Sequence, residues 1–447
     1  MIRSQSLLRA LQVASALVVS SARVSGQAPT DSAETISLTL AVAAAQRNAP
    51  QTVAARGQLR GAGMAARVSK LAWLPTLNVT AGAGRTQGVQ FFQGQLVPLR
   101  GDPWNFNNNV AAGMDLFDGG RRLFETRRAN AAVDAAEANT IAQKYQVAFA
   151  VKQQYFAVLA ARESEAAARV QLDQAQQQLK ASVARVAAGV ATKSDSLRSV
   201  IQVGNAELQV LTAQNDLRIA NAALTRLVAS PTVVTADPRD TLDIPTVLPP
   251  DSILERYALV GPGVEQARAD LLAAKTTHRS AKTAYLPTLS TNFTYGLNAT
   301  GRGISGDKLL LLGDAGRPSR TNLGLNLSFP LFNQGQREAN VVQTSIAEAN
   351  AEAQLRDARF AARQQLTQQL KAFETAGARI RVQSASIDAA IEDLRVQQQR
   401  YNLGASTLLD VLTSQTQLNV ARTALIQARL DARVAKAQIE AILGRDL

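Results

Sequence analysis

No proline occurs between residues 104 and 230 or between 331 and 447, and that absence constrains the fold more than any motif. Proline breaks the internal hydrogen-bond ladder of a helix, so each tract is free to run as helix for most of its length. At ~1.5 Å per residue, the span from Gly120 to Ala188 extends roughly 100 Å. Leu366, Phe373, Ile380, Ile387, Leu394 and Tyr401 fall one heptad apart. Val151, Val158, Leu172, Leu179 and Val186 keep the same register in the first tract, broken only by Glu165. A seven-residue period keeps one apolar seam facing a partner helix and implies supercoiling. Each long helix reverses at a glycine, Gly189 or Gly404, a residue that tolerates the left-handed conformation needed to leave a helix. Thr192 and Thr407 then stand where the returning helix needs an N-cap.

The two tracts belong to two copies of one unit. "AWLPTL" at Ala72 returns as "AYLPTL" at Ala284, and Pro50, Arg56, Leu59 and Lys70 return as Pro262, Arg268, Leu271 and Lys282, all 212 residues later. "LFDGGRR" at Leu116 returns as "LFNQGQR" at Leu331, and "RVAAGVATKSD" at Arg185 as "RYNLGASTLLD" at Arg400, both at an offset of 215. The sequence therefore divides into a first repeat over 27–230, a proline-rich linker over 231–250 and a second repeat over 251–447. Each repeat reads as helix, strand, loop, strand, long helix, sharp turn, helix. Strands are expected near 74–117 and 286–332, and long helical hairpins over 119–228 and 334–443. The first helix starts at Ser37, a suitable N-cap, and is interrupted at Pro50. Pro75 and Pro287 mark the helix-to-strand joints, because proline ends a helix and holds the preceding residue extended.

The strands alternate with period two. Leu289, Phe293, Tyr295 and Leu297 are apolar, while Ser290, Asn292, Thr294 and Asn298 are polar. Leu323, Leu325, Leu327 and Phe329 alternate with Asn322, Asn326 and Ser328. The first repeat follows more weakly through Leu77, Val79, Ala81 and Ala83, then Phe106, Val110, Ala112, Met114 and Leu116. A soluble sheet with one buried face shows such a pattern, and so does a membrane barrel with lipid outside and water inside. The barrel is favoured because the segments match the ~9 to 11 residues that cross a bilayer at a tilt, and because the polar faces carry Asn, Ser, Thr and Gly instead of charge. Twelve of the twenty aromatic residues also fall between Trp73 and Phe124 or between Tyr285 and Phe332. Trp73, Phe117, Tyr285 and Phe332 stand at strand ends, where membrane interfaces prefer them. Four strands cannot close a barrel, and an open edge cannot persist in lipid, so the barrel must be shared among subunits.

Composition removes most alternatives. The chain has no cysteine and one histidine, His278, which excludes disulfides, thiolate nucleophiles and Cys/His metal sites. His278 is expected at a helix surface, not as a ligand. "GAGRTQG" at Gly82 lacks the spacing of a dinucleotide loop and lies in a strand. No enzyme activity, cofactor or metal is therefore expected. The N-terminus reads as a signal peptide over 1–26: Arg3 and Arg9 precede a short apolar run from Leu11 to Ala22, with small residues at Ser25, Gly26 and Ala28. Its removal lowers the formal net charge from +13 by its three arginines. The remaining basic residues are dispersed among acids along helices without aromatic interleaving, so no nucleic-acid partner is expected.

"ISLTLAVAAAQRNAP" (Ile36 to Pro50), the paired Leu-Pro-Thr-Leu strand starts, the Leu-Phe-x-x-Gly-x-Arg joints and "RYNLGASTLLDVL" (Arg400 to Leu412) together resemble the TolC-like outer membrane efflux proteins, over essentially the whole mature chain. The resemblance implies a mixed α and β membrane protein: a homotrimer whose twelve strands, four per chain, close one outer-membrane barrel in lipid. A long α-helical coiled-coil barrel continues it across the periplasm. It also implies an exit duct of a tripartite efflux or type I secretion system, working with a periplasmic adaptor (membrane fusion) protein and an inner-membrane efflux pump or transporter. The turn residues Arg185, Ala187, Gly189, Val190, Thr192, Arg400, Gly404, Ala405, Ser406 and Thr407 become candidate adaptor contacts. Asp410 and Tyr401 become candidates for the periplasmic aperture, Asp410 as one of three carboxylates in a ring. Helix capping is the competing reading of Asp410, and Asp195 is expected to fit that reading better. Two departures stand out: no lipid-anchoring cysteine follows the signal, and Ser406 and Thr413 replace a basic and an acidic residue that some relatives carry. The competing functional class is a periplasmic coiled-coil spacer without channel activity, its strands packed as a soluble sheet.

Overall fold

A computed structural model describes residues 33–85, 88–98, 104–242, 249–301 and 319–447; the expected signal peptide lies outside the described residues. A short strand, β1 (Glu34–Ile36), leads into α1 (Leu38–Asn48). Ser37 is the extended N-cap residue, but its hydroxyl meets Thr39 Oγ1 at 3.3 Å instead of capping a backbone N–H. Ala49 breaks the helix and Pro50 opens α2 (Pro50–Leu71), a position where the missing proline N–H is no loss.

Four strands form one antiparallel sheet: β2 (Thr76–Arg85), β5 (Trp104–Phe117), β7 (Thr288–Gly301) and β8 (Ser319–Ser328), in the order β2-β5-β7-β8. A small hairpin, β3 (Val89–Phe92) and β4 (Gln95–Pro98), lies between the first two strands. Register places like with like. Leu77 and Val79 oppose Ala112 and Val110, which oppose Phe293 and Tyr295, and Phe293 opposes Leu323. Asn78 and Thr80 oppose Ala111 and Asn109 on the other face, while Thr294 and Asn292 oppose Asn322 and Gly324. The amide side chains of Asn107 and Asn292 lie over Gly82 and Gly324 and occupy the space a Cβ would take there. A bulge between Asp115 and Phe117 corrects the expected parity: Asp115 pairs with Ser290 and Phe117 with Leu289. Leu116 is the extra residue there and not a continuation of the even-numbered apolar row.

Two helices of 67 residues, α3 (Arg121–Ala187) and the later α7 (Gln336–Asn402), follow the second strand of each half. Each starts after a left-handed glycine, Gly120 (φ 82°) or Gly335 (φ 79°). They return through α4 (Lys193–Val228) and α8 (Leu408–Leu443), each of 36 residues. Two shorter helices, α5 (Asp251–Ala258) and α6 (Pro262–Lys282), precede β7. The hairpin partners α3 and α4 pack together, as do α7 and α8; α6 lies between α3 and α7, and α2 lies on α3. The heptad positions Leu366, Leu394 and Tyr401 are buried, with Phe373 and Ile387 packed at their edges. Among the described residues, no helix is long and apolar enough to cross a membrane.

The core sits midway along the helices. Ala41 and Ala45 of α1, Val151, Tyr155 and Val158 of α3, and Leu224 of α4 enclose Leu242 and the strand β6 (Val234–Ala236). That strand pairs in parallel with β1 and corrects the reading of 231–250 as a linker throughout: its Val-Val-Thr segment is β-branched and proline-free. The buried Tyr155 hydroxyl donates to Asp240 and accepts from the N–H of Asp237 at 3.0 Å, which ties this segment to α3. His278 is half-buried in the seam between α6 and α7, with Nδ1 3.1 Å from Thr344 Oγ1, and not on a free surface. A Thr side chain one helix away explains this, since α6 carries neighbours on two sides.

Candidate functional site

Three regions carry the expected functional residues: the sheet, the joints beneath it and the two hairpin tips. One face of the sheet is apolar and uncovered among the described residues. Leu323 is 74% exposed, and Leu77, Val79, Leu325 and Leu327 are similarly open. The opposite face presents Asn, Thr, Ser and Gly. Both edges, β2 and β8, lack a strand partner among the described residues.

Each joint joins a proline turn to an arginine. Beside Pro75, the Arg122 guanidinium lies 4.6 Å from the centre of the Trp73 ring and donates through Nε to Asp118 at 3.0 Å. Beside Pro287, Arg337 lies 5.0 Å from the centre of the Tyr285 ring and donates to the carbonyls of Pro330 and Leu331. The second joint uses backbone carbonyls because Asn333 stands where the first has Asp118. Trp73 and Tyr285 remain at the surface, their rings spanning polar and apolar surroundings as interfacial aromatics do.

The tips share one backbone solution. Val190 N–H donates to Arg185 O at 3.0 Å and Gly189 N–H to Val186 O at 3.0 Å; Ala405 and Gly404 donate likewise to Arg400 (2.8 Å) and Tyr401 (3.1 Å). This double closure requires the left-handed residue that Gly189 (φ 74°) and Gly404 (φ 75°) supply. A capping box then opens the returning helix. Asp195 Oδ2 accepts from Thr192 N–H (3.1 Å) and hydroxyl (2.9 Å), and Asp195 N–H donates to Thr192 Oγ1. Asp410 repeats these contacts with Thr407 at 2.8, 2.8 and 3.3 Å. Contrary to expectation, Asp195 does not fit the capping geometry better than Asp410, because both sit at N3 after a threonine N-cap. The backbone N–H and hydroxyl of Thr407 hold the Asp410 carboxyl below the usual carboxylate range.

The tips also touch. Arg185 turns inward, its guanidinium 4.6 Å from the centre of the Tyr401 ring, and donates to Asn402 O at 3.3 Å. Tyr401 is only 7% exposed; burial, and then the negative charge of Asp195, push its hydroxyl up. Arg400 instead reaches the Ala405 carbonyl of its own turn at 3.4 Å, and Ser406 donates to Gln397 O. Ala187, Gly189, Val190 and Ala405 are exposed at the extreme ends. Leu403, which sequence reasoning missed, is 84% exposed beside them. Its signal is an apolar residue at the last helical turn outside the heptad register. Among the described residues, no group of His, Cys, Asp and Glu is placed to hold a metal ion.

The family model described as "Outer membrane efflux protein" matches residues 41–230 and 259–445. The pyoverdine export outer membrane protein OpmQ of Pseudomonas aeruginosa is 27% identical over 394 residues, which cover 86% of this chain and 80% of that one. Escherichia coli TolC is 25% identical over 185 residues, 40% of this chain and 37% of TolC. Among solved structures, CusC superposes with a TM-score of 0.78 at 18% identity, covering 92% of this chain and 94% of that one. VceC of Vibrio cholerae superposes at 0.74 with 20% identity, covering 92% and 96%.

Proposed function

Because the chain belongs to the outer membrane efflux protein family, we propose that it is the passive exit duct of a tripartite efflux or type I secretion system. Its relatives are outer-membrane efflux channels and not enzymes, and it is an outer-membrane protein with a periplasmic helical extension. One observation carries the finer reading: a four-stranded sheet, apolar on one exposed face and polar on the other, stands on helices of roughly 100 Å, and both its edges are unpaired among the described residues.

Those edges call for other copies of the chain. Residues 27–230 and 251–447 act as two repeats around the segment 231–250, following a cleaved signal at 1–26. Inside the chain, α3 of the first repeat packs on α6 of the second, and β5 on β7. Shifting these contacts by one repeat puts α7 and β8 of one copy against α2 and β2 of the next. The faces so matched are exposed and apolar: Val53, Met64 and Val68 on α2, Val342 and Ile346 on α7. Two chains would give eight strands, whose interior side chains fill. Three give twelve and leave a water-filled lumen lined by the Asn, Thr and Ser face.

At the far end, the exposed tips suit docking of a periplasmic adaptor, through which an inner-membrane pump delivers substrate. Arg185 serves this surface from inside, by holding Tyr401. Tyr401 is buried against Arg185, so it would act at the mouth by holding the two tips together. Asp410 is exposed on the first turn of α8 and ionised at neutral pH in the single chain; three copies would form a ring that concentrates cations. Native mass measured in detergent is expected to show three chains, and a stable monomer would refute the duct. In planar bilayers, Asp410→Ala is expected to lower cation selectivity and relieve block by multivalent cations added at the periplasmic side, while Asp195→Ala does neither. Loss of helix content without loss of selectivity would leave Asp410 a cap alone.

A further inference from the structure

Between α5 and the middle of α7 lies an open cavity of about 380 Å³, lined by Leu259, Arg356, Arg359, Phe360 and Arg363. The spacing places three guanidiniums and one aromatic ring on a single helix face. Phe360 is 66% exposed. None of the three arginines makes an ion pair or hydrogen bond with a carboxylate among the described residues. Acids are close in sequence or packing, with Glu352 and Asp357 on α7 and Asp251 and Glu255 on α5, yet none engages them.

The first half of the chain shows what such a cavity becomes when covered. There the corresponding stripe of α3, offset by 215, reads Ile141, Lys144, Tyr145 and Ala148, and it lines a cavity of about 680 Å³. One wall is α1, with Leu38, Thr39, Val42 and Ala43, and the far wall is the C-terminal end of α8 and the residues after it, with Ala437, Glu440, Ala441 and Asp446. Lys152, one turn farther along, donates to Glu440 at 2.6 Å and Asp446 at 2.7 Å. Basic charge at that joint is thus neutralised by two carboxylates of the same chain.

The same shift that builds the trimer places the C-terminal end of α4 from the next copy over the arginine stripe. The wall residues then become Ala222, Thr225, Arg226 and Pro231 in place of Ala437, Glu440, Ala441 and Asp446. Both acidic positions have lost their charge, and a fourth arginine has been gained. Four guanidiniums meet there; the α5 wall does carry Asp251 and Glu255 where the first cavity has Thr39 and Ala43, but neither pairs with an arginine of the stripe, so the guanidiniums keep donors for an anion that enters.

We infer that this pocket between subunits binds a small soluble oxyanion, a phosphate ester or carboxylate carrying an apolar or aromatic body. The reading rests on the trimer proposed above. Arginine forks match planar carboxylate and phosphate oxygens in pairs, and Phe360 with Leu259 offers an apolar wall for the rest of the ligand. A lipid headgroup is out of reach: Arg356 lies 20 residues down α7 from Gln336, roughly 30 Å from the joint beneath the barrel at ~1.5 Å per residue.

The test uses the full-length protein in detergent, titrated with inorganic phosphate and with phenyl phosphate by calorimetry, against chloride at matched ionic strength. Saturable binding is expected, at one site per chain and tighter for phenyl phosphate. Arg359→Gln, Arg363→Gln and Arg226→Gln should each weaken it at least roughly tenfold, and Phe360→Ala should erase the preference for phenyl phosphate. The Arg226 variant is decisive for a shared site, because within one chain that residue does not line the pocket. Binding indistinguishable from chloride overturns the proposal. So does a trimer destabilised by Arg359→Gln with no phosphate response, which would mean that the arginines pair with carboxylates of the next copy. Native mass on the same samples separates the two failures: a trimer that ignores phosphate overturns the site alone, whereas a monomer overturns the trimer and with it the shared pocket.

Discussion

Replacing Leu323 with arginine tests the proposed lipid face at its most sensitive point. The strand β8 has ten residues, and Leu323 is at its middle. At ~3.4 Å per residue and a tilt of about 40°, each residue advances roughly 2.6 Å along the membrane normal. The whole strand then covers about 26 Å, close to the ~25 Å apolar belt of outer-membrane barrels. Leu323 falls near the midplane, and Leu327 sits roughly 10 Å closer to the periplasmic rim. Arginine on the lipid face costs ~2–4 kcal/mol at the midplane and ~0–1 kcal/mol near the interface. Leu323→Arg should therefore destabilise the inserted barrel by ~2–4 kcal/mol and Leu327→Arg by ~0–1 kcal/mol. Asn322→Arg, one residue away on the polar face opposite Thr294, should cost close to nothing. Guanidinium titration in phospholipid vesicles reads these differences through Trp73 and Trp104, the two tryptophans of the chain, both at the sheet. Equal costs for Asn322→Arg and Leu323→Arg, or a larger cost at Leu327, would refute the assignment of faces.

Two further outcomes follow from local geometry. Thr407→Ala removes the hydroxyl of the α8 capping box and should destabilise that helix start by ~0.5–2 kcal/mol, seen as faster amide exchange in its first turn with the sheet unchanged. Lys152 is pushed down by burial, but its hydrogen bonds to Asp446 and Glu440 outweigh that and raise it above the ordinary lysine value of 10.5. A raised folded-state value means that the contribution is complete below about pH 10.5 and is lost as pH climbs past it. Lys152→Met should leave Glu440 short of a partner, lower the thermal midpoint at neutral pH and abolish the alkaline part of the wild-type decline; an unchanged midpoint would refute the pairing.

What the sequence revealed about this fold depended on how local each cause is. Proline absence, glycine turns and Thr-x-x-Asp boxes act within a few residues, so the ends of α3, α4, α7 and α8 fell within about two residues of their expected places. The bulge at Leu116 escaped because alternation alone carries no signal for an inserted residue; only pairing with Ser290 and Leu289 reveals it. The hairpin β3–β4 turns at Gln93-Gly94, both with positive φ, a weaker cue than the Asn-Gly that such turns favour. The strand β6 hid among prolines because its partner β1 lies about 200 residues earlier. Arg185 was readable as a tip residue, but its inward turn onto Tyr401 joins two hairpins and depends on their packing.

The repeat itself supplies the remaining information, through its divergences more than its matches. Positions that agree between the halves, such as Gly189 with Gly404 or Thr192 with Thr407, are fixed by backbone needs that both hairpins share. Positions that differ must answer to different neighbours. Lys152 faces Glu440 and Asp446 within its own chain, while Thr367, its counterpart, would have Thr225 and Pro231 at the matching places of the next copy in the proposed trimer. Arginines have accumulated beside Thr367 where the first half carries Ile141, Lys144 and Ala148. Along α7 bases appear, and on the α4 wall acids vanish, while α5 gains Asp251 and Glu255 in place of Thr39 and Ala43 without pairing them to the stripe. The unpaired arginines of α7, facing Arg226 in the proposed trimer, are what a bound anion would satisfy, and the joint inside the chain has Lys152 paired to Glu440 and Asp446 instead.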